Sequence, residues 1–356
     1  MSSVLGQKIK LSVFGESHGT AIGCVIDGFP CGIKIDMNAV GAEMARRAPG
    51  RDKTTTPRKE ADTPEILSGI LNGVTTGAPI AMMIKNTNTK SGDYGNLMTV
   101  PRPSHSDYPA FVKFDGGNDV RGGGHFSGRL TAPLVFAGAL AKQALAQKGI
   151  VIGAHISQIG SVCDSVFDKN NITVEQLNSL SSSYFATLDG KEQAMRDEIE
   201  KARMDCNSVG GKIECAVVGV PVGAGGNMFD TIEGRLSYAL FGVPAVKGVE
   251  FGIGFDFAKS FGSDVNDGYE VQGGTVKTIT NNNGGIAGGM ATGAPIVFSV
   301  AVKPTPSISK PQKSVNLQTM KNEELIIHGR HDPCIVPRAV PVIEAITAFT
   351  ILDILS

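Results

Sequence analysis

The sequence predicts one α+β domain over residues 1–356, built from two internally related halves that each contribute strands and helix to a shared core. Apolar runs typical of strands alternate with helical segments along the chain. The turn motif Gly-x-Pro-x-Gly occurs twice, at residues 28–32 and 219–223, each time between an apolar strand and a helix. No segment has the composition of a linker, and a 356-residue chain with 41% hydrophobic residues can bury one large core.

Hydrophobic patterning, prolines and glycines position the elements of the first half. The predicted elements are strands at residues 9–14, 22–27, 65–71 and 80–84 and helices at residues 38–47 and 133–148. The second helix has Pro133 in its first turn and stops at Gly149, in line with helix-end preferences. Residues 86–125 are rich in Asn, Gly, Pro and Ser without periodicity, which predicts a long functional or mobile loop.

The second half continues the alternation. Its predicted elements are strands at residues 150–159, 212–220, 246–255 and 295–302 and helices at residues 191–206, 229–241 and 338–355, the last one amphipathic. The six cysteines form no C-x-x-C pair, which predicts free, mostly buried thiols of a cytoplasmic protein. An apolar signal core is missing at the N-terminus and no run reaches the roughly 18 residues of a membrane span, so no membrane association is expected.

The net charge of −1 argues against a general polyanion binder. Cations concentrate in one short stretch with few acids among them: Arg46, Arg47, Arg51, Lys53, Arg58 and Lys59. A solvated basic loop and an anion site explain this stretch equally well, because guanidinium groups match the geometry of phosphate and carboxylate.

Three motifs combine a histidine with glycine or proline geometry. Residues 15–19, Gly-Glu-Ser-His-Gly, follow a strand and can hold His18 in a cavity, where imidazole gives or takes a proton near pH 7. Residues 101–107 hold His105 in a proline-stiffened loop. Residues 121–129 place three glycines before a helix N-terminus, which favours anion binding. The last motif is neither a P-loop nor a dinucleotide fingerprint.

Two later segments also carry polar chemistry. The Gly-rich turn at residues 281–289 leads into a strand that ends in Lys303, which suits either a rigid phosphate or ring contact or a stiff exit loop. Residues 329–334, Gly-Arg-His-Asp-Pro-Cys, precede the last helix and could supply an acid/base and anion set. Cys334 is not expected to be a nucleophile, because buried cysteines are common. The dispersed histidines predict no metal site.

Seven motifs, taken in order, resemble the chorismate synthase family over nearly the whole chain. They are Gly-Glu-Ser-His-Gly at 15–19, Arg-Arg-x-Pro-Gly at 46–50, Arg-Pro-x-His-x-Asp at 102–107, Arg-Gly-Gly-Gly at 121–124, Ala-Val-Lys-Gly-Val-Glu at 245–250, Lys-Pro-Thr at 303–305 and Gly-Arg-His-Asp-Pro-Cys at 329–334. The co-ordered set is highly specific, whereas one motif alone is not. The resemblance implies a β-α-β sandwich and a homotetramer.

The resemblance also implies the activity. In that family, 5-enolpyruvylshikimate 3-phosphate loses phosphate and a ring proton in a 1,4-anti elimination that gives chorismate, the last step of the shikimate pathway in aromatic amino acid biosynthesis. Reduced FMN is the implied cofactor and is not consumed. Because substrate and cofactor are anionic, the expected binding cations are Arg46, Arg47, Lys53, Arg129, Arg330 and Arg338.

Three catalytic roles follow from the resemblance. His18 would protonate the departing phosphate, His105 would lie beside the reduced flavin and set its protonation, and Asp332 would help flavin N5 take the ring proton. The implied flavin contacts are His125, Phe126, Ser127, Pro244, Ala245, Gly288, Lys303, Pro304, Thr305, Pro306, Ser307 and Arg330.

The chain departs from the family pattern within this set. His125 stands where the family usually has Arg, Phe126 where it has Ser, Leu130 where it has an acid, and Pro244 where it has Asn. We expect a flavin pocket that is adjusted but active, with His125 as a wall residue and not a catalytic one.

Two other classes of function are weaker alternatives. An FMN-binding reductase-like protein without elimination activity would oxidise NAD(P)H in the absence of substrate, but the chain has no dinucleotide fingerprint. Reduction of FMN by NADPH is therefore expected from a separate flavin reductase. A nucleic-acid binder that uses residues 46–59 would call for a more basic and more aromatic chain, so no nucleic-acid partner is expected.

Overall fold

Strands and helices are distributed over the whole of the described chain. A computed structural model describes residues 3–50, 62–87, 98–327 and 332–356. The helices are α1 (Met37–Arg47), α2 (Asp107–Lys113), α3 (Thr131–Ala146), α4 (Val174–Ser182), α5 (Glu192–Met204), α6 (Ile232–Phe241), α7 (Gly262–Val265) and α8 (Val336–Leu355). The strands are β1 (Val4–Leu5), β2 (Lys10–Gly15), β3 (Ala21–Asp27), β4 (Glu65–Ser68), β5 (Ile70–Leu71), β6 (Val74–Thr75), β7 (Ile80–Lys85), β8 (Val151–Ile159), β9 (Val162–Cys163), β10 (Gly211–Val218), β11 (Val246–Phe251), β12 (Tyr269–Gln272), β13 (Thr275–Thr278), β14 (Ile286–Ala287), β15 (Met290–Ala291), β16 (Ile296–Val302), β17 (Gln312–Asn316) and β18 (Lys321–Leu325).

Two five-stranded sheets pack against a layer of buried helices. The first sheet has the order β1-β2-β3-β7-β4 and the second has the order β11-β16-β10-β8-β9. Neighbouring strands in both sheets are antiparallel, and four small hairpins lie outside them. Helix α3 packs on β2 and β3, and helix α8 packs on β8 and β10. The architecture is therefore the predicted α+β class, with the helix layer between two sheets.

The central helices α3 and α8 are apolar on nearly every face. A Cβ added to Gly138 of α3 would lie 2.2 Å from the Ala345 Cβ of α8, so glycine allows the two helices to approach closely. Helix α8 was predicted to be amphipathic, and this is wrong: its side chains are buried from Val340 through Asp353. A helix that is apolar all round belongs in a core. One contiguous hydrophobic cluster includes residues from Ile9 to Leu352 and contains side chains of both halves. The assignment of the chain to one domain stays a prediction.

The two halves occupy equivalent environments, which confirms that they are related. Each Gly-x-Pro-x-Gly turn follows a sheet strand and precedes a helix, β3 before α1 and β10 before α6. The amide of Gly32 donates to the Thr75 carbonyl oxygen at 2.8 Å, and the amide of Gly223 donates to the Ala291 carbonyl oxygen at 2.9 Å. In the first half, the hairpin β5–β6 ends at Thr75 and leads into β7, which pairs with β3. In the second half, the hairpin β14–β15 ends at Ala291 and leads into β16, which pairs with β10.

Most predicted elements are present within a few residues, and the misses have local reasons. The predicted loop 86–125 contains α2, a short helix with a proline in its first turn; its residues 88–97 lie outside the described part of the chain. Helix α4 was missed, although Thr173 caps it by accepting a hydrogen bond from the Gln176 amide. Three cysteines are exposed and three are buried, so the prediction of mostly buried thiols was too strong.

In the part of the chain that the structure describes, no helix combines the length and apolar character needed to cross a membrane.

Candidate active site

The turn between β2 and β3 holds His18 in a buried position. Gly15 ends β2 with φ +97°, and an added Cβ would strike the backbone of β3 at 2.3 Å. The side-chain amide of Asn86 donates to the carbonyl oxygens of Glu16 at 3.0 Å and Gly19 at 2.8 Å. The turn is therefore tightly held, with His18 at its centre.

Three successive glycines pass between the two predicted catalytic histidines. Gly122, Gly123 and Gly124 have φ values of 59°, 86° and 54°. A Cβ on Gly122 would lie 2.3 Å from two atoms of the His18 ring, and a Cβ on Gly123 would lie 3.3 Å from the Cε1 and Nε2 atoms of His105. Only glycine permits both the backbone conformation and the close approach, so this run brings the two imidazoles to one place.

Asp107 and Arg102 orient His105. The Asp107 carboxylate is 2.6 Å from His105 Nδ1 and also accepts hydrogen bonds from Arg102 Nε and Nη2 at 2.7 and 2.8 Å. Burial alone would raise the pKa of Asp107, but the hydrogen bonds from Arg102 and His105 outweigh it and hold that pKa well below its usual range. An ionised carboxylate only accepts, so Nδ1 carries a proton and Nε2 faces Gly123.

The segment that begins at Lys303 joins the His105 side of the site. Arg102 Nη1 donates to Ser307 Oγ at 3.3 Å, and Lys303 Nζ donates to the carbonyl oxygen of Ser104 at 2.5 Å. The backbone amide of Lys303 donates to the carbonyl oxygen of Ala245 at 2.9 Å. Two segments predicted to contact flavin are thus brought together beside His105.

Arg47 and Arg129 share the buried carboxylate of Asp62, near the point where the loop of residues 122–128 leads into α3. Arg47 donates to Asp62 at 2.6 Å and to the Gly128 carbonyl oxygen at 3.1 Å, and Arg129 donates to the other oxygen of Asp62. Burial would raise the pKa of Asp62, but Arg47 and Arg129 lower it below the usual value. Two guanidinium groups thus meet at this carboxylate. Arg129 also donates to Asn86, which links this group to the His18 turn.

Arg338 links Asp332 to the cluster of Arg47, Arg129 and Asp62. Its Nη1 donates to Asp332 at 2.5 Å, and its Nε donates to the carbonyl oxygen of Arg47 at 3.0 Å. Cys334, two residues further along the chain, is fully buried, and burial raises the pKa of its thiol to about 12. A thiolate nucleophile is therefore unavailable at this position, as the sequence analysis expected.

Other predicted residues make different contacts. The guanidinium of Arg46 binds Glu344 at 2.6 Å in the core, which gives no support to its predicted contact with substrate. Phe126 is half exposed beside Phe114. The remaining predicted residues are placed as follows: Ser127 caps the turn before α3, Pro244 is exposed before β11, Gly288 is exposed in the β14–β15 turn, and Lys53 and Arg330 lie outside the described residues.

Three polar residues of the site were not found from the sequence. Asn86 and Asp62 were missed because nothing in their local sequence marks them: each gains its partners only through the fold. Asp107 stands within the Arg-Pro-x-His-x-Asp motif at residues 102–107, so its spacing from His105 was an available signal.

The fold and site define a β-α-β sandwich protein with a cation-rich, two-histidine site. The family model described as chorismate synthase matches residues 9–355. The chorismate synthase of Thermococcus gammatolerans is 47% identical over 98% of this chain and 96% of its own length, and that of Dehalococcoides mccartyi is 45% identical over 99% and 96%. A chorismate synthase crystal structure superimposes with a TM-score of 0.76 at 28% identity, covering 98% of this chain and 92% of that chain. The chain belongs to the chorismate synthase family.

Proposed function

We propose that this protein is a carbon–oxygen lyase that converts 5-enolpyruvylshikimate 3-phosphate to chorismate, with reduced FMN as a cofactor that is not consumed. One ring carbon loses phosphate, another loses a proton, and a new carbon–carbon double bond forms. The proposal depends above all on one observation: Gly122 and Gly123 place His18 and His105 against one loop. The two guanidinium groups at Asp62 are of the kind that binds phosphate and carboxylate, and the substrate carries one phosphate and two carboxylates.

The residues of the Lys303 segment fit a cofactor with a phosphate. The hydroxyl oxygen of Thr305 is buried and has no hydrogen-bond partner among the described residues, so a ligand could supply one. Burial and the neighbouring charge of Lys247 lower the pKa of Lys303, and a bound anion would relieve that repulsion. Ser307 and Ala245 would complete this wall. When bound, reduced FMN supplies transient electron density to the substrate as phosphate leaves.

The protein side chains bind the substrate and move its protons. Arg47, Arg129 and Arg338 hold the anionic groups, and His18 donates a proton to the departing phosphate oxygen. Asp332, held by Arg338, assists removal of the ring proton. His105, with its Nδ1 proton held by Asp107, presents Nε2 toward the cofactor side. The homotetramer, the separate flavin reductase and the cytoplasmic location stay predictions.

An anaerobic assay tests the proposal. The protein is mixed with chemically reduced FMN and 5-enolpyruvylshikimate 3-phosphate, and chorismate absorbance and phosphate release are followed together. Equal amounts of both products are expected. His18→Ala should lower turnover strongly and leave FMN affinity nearly unchanged. FMN binding without product, or NADPH oxidation without substrate, would favour the reductase-like alternative instead.

A further inference from the structure

His125 contacts the His18 turn through both ring nitrogens. Its Nδ1 lies 2.8 Å from the carbonyl oxygen of Gly15, and its Nε2 lies 2.8 Å from Ser3 Oγ. A carbonyl only accepts, so Nδ1 must carry a proton. In the neutral ring, Nε2 accepts a hydrogen bond from the Ser3 hydroxyl group. In the protonated ring, Nε2 donates a hydrogen bond to the Ser3 oxygen. Either state keeps the hydrogen bond from Nδ1 to Gly15. Both polar atoms of the ring are thereby engaged within the protein.

The neighbouring glycines hold the same turn. The amide of Ser17 donates to the Gly124 carbonyl oxygen at 3.1 Å, and Gly122 lies directly against the His18 ring. Residues 122–125 therefore contact the turn at three points. His125 bonds to Gly15 at its beginning, Gly124 bonds to Ser17 in its middle, and Gly122 packs against the His18 ring. The bond from His125 is the one of these contacts that a side-chain substitution can remove while the backbone stays intact.

An open depression of about 520 Å³ lies beside this contact. Its lining consists of Gly15, Glu16, Gly19, Thr20, Ala21 and His125. Loss of the imidazole hydrogen bond would therefore expose the Gly15 carbonyl oxygen to water and loosen the turn from its outer side.

We propose that His125 is a positioning residue that fixes the direction of His18. The inference rests on the proposed function, in which His18 is the proton donor. It also accounts for the departure from the family pattern: a short ring with two hydrogen bonds stabilises the turn here, where the family usually has a long cation.

The test compares His125→Phe, which keeps the ring and removes both hydrogen bonds, with His125→Gln, whose amide can still donate to Gly15. Ser3→Ala is the matched control that removes only the outer bond. In His125→Phe we expect amide exchange in residues 16–19 of the cofactor-free protein to rise about tenfold. We expect kcat to fall about tenfold, with KM and the FMN Kd within about threefold of wild type. His125→Gln should restore much of both properties, and Ser3→Ala should resemble wild type.

Two results would overturn the proposal. One is an unchanged exchange rate in His125→Phe. The other is an FMN Kd weakened tenfold with kcat restored at saturating FMN, which would make His125 a flavin-wall residue. If His125→Phe does not fold, His125→Leu serves the same comparison. If the wild type forms no chorismate, the proposed function fails, while the exchange measurement still decides whether His125 holds the turn.

Discussion

Arg46 and Arg47 are neighbours in α1, yet they belong to two different ion clusters. The core cluster comprises two cations and two carboxylates: Arg46, Lys142, Glu43 and Glu344. Among the described residues, the site cluster contains Arg47, Arg129 and Asp62. Both clusters are largely buried, so burial alone does not separate a structural arginine from a binding one. The position of each cluster does, because only the site cluster is linked to the His18 turn, through Arg129 and Asn86.

The core cluster is satisfied within the protein. Glu344 accepts hydrogen bonds from Arg46 at 2.6 and 3.0 Å, from Lys142 at 2.6 Å and from the Ala154 amide at 3.0 Å. Burial raises the pKa of Glu344, but the two cations outweigh this effect and hold it below the usual value. These contacts join α1, α3, α8 and β8, which explains why the cluster belongs to the core of the fold.

The largest expected effect comes from removing the central carboxylate of the core cluster. Glu344→Ala leaves Arg46 and Lys142 buried with only Glu43 as a counter-ion, which should lower the free energy of unfolding by about 3–5 kcal/mol. Urea unfolding measures this loss. Glu65→Ala is the matched control, because its pair with Lys85 is exposed, and it should cost less than about 1 kcal/mol. Equal losses in the two variants would contradict the comparison.

The second effect is on catalysis and uses the two neighbouring arginines. Arg47→Met removes charge-assisted contacts worth about 3 kcal/mol in the transition state, so kcat/KM for the substrate should fall about 100-fold. Steady-state kinetics on folded protein measures it. Arg46→Met is the matched control: it should be less stable but keep kcat/KM within about threefold. A similar catalytic loss in Arg46→Met would instead support the sequence-based prediction that Arg46 binds substrate.

A third, smaller effect concerns acid stability. The folded pKa of Glu344 is lowered, so its contribution to stability is fully present above the ordinary glutamate pKa of about 4.3 and is lost as pH falls toward the folded value. Glu344→Gln cannot lose this proton-linked contribution. Its unfolding free energy should therefore fall less steeply below about pH 4, by up to about 1.4 kcal/mol per pH unit. Parallel acid profiles of the two proteins would show that Glu344 does not titrate in this way.

The smallest effect tests anion binding at the site cluster directly. Inorganic phosphate at about ten times its Kd should stabilise the wild type by about 1.4 kcal/mol, because it binds the folded state only. Arg47→Met should lose most of this gain, whereas Arg46→Met should keep it. Thermal unfolding with and without phosphate measures the difference, and chloride at equal ionic strength controls for screening. An equal gain in Arg47→Met would place the anion elsewhere.

The sequence predicted the histidines of the site better than it predicted the ion-pair partners of the arginines. His18 and His105 were predicted from local motifs, because the glycines that bring them together are adjacent in sequence. The roles of Arg46 and Arg47 could not be separated, because Glu344 lies 298 residues from Arg46 and only the packing of α8 brings it there. The repeat of the two halves had an overlooked signal: Gly-Ala-Pro-Ile occurs at residues 77–80 and again at residues 293–296, at the start of equivalent strands.

Helix α8 follows every other described element in chain order, yet it contacts the first ones. Asp353 accepts hydrogen bonds from the backbone amides of Gln7, Lys8 and Ile9, more than 340 residues away. During synthesis the second sheet, on which α8 packs, therefore keeps much of its inner apolar face uncovered until this last helix has been made. Such distant contacts favour slow folding and intermediates that are prone to aggregation. We expect newly made chains to depend on chaperones more than their native stability would suggest.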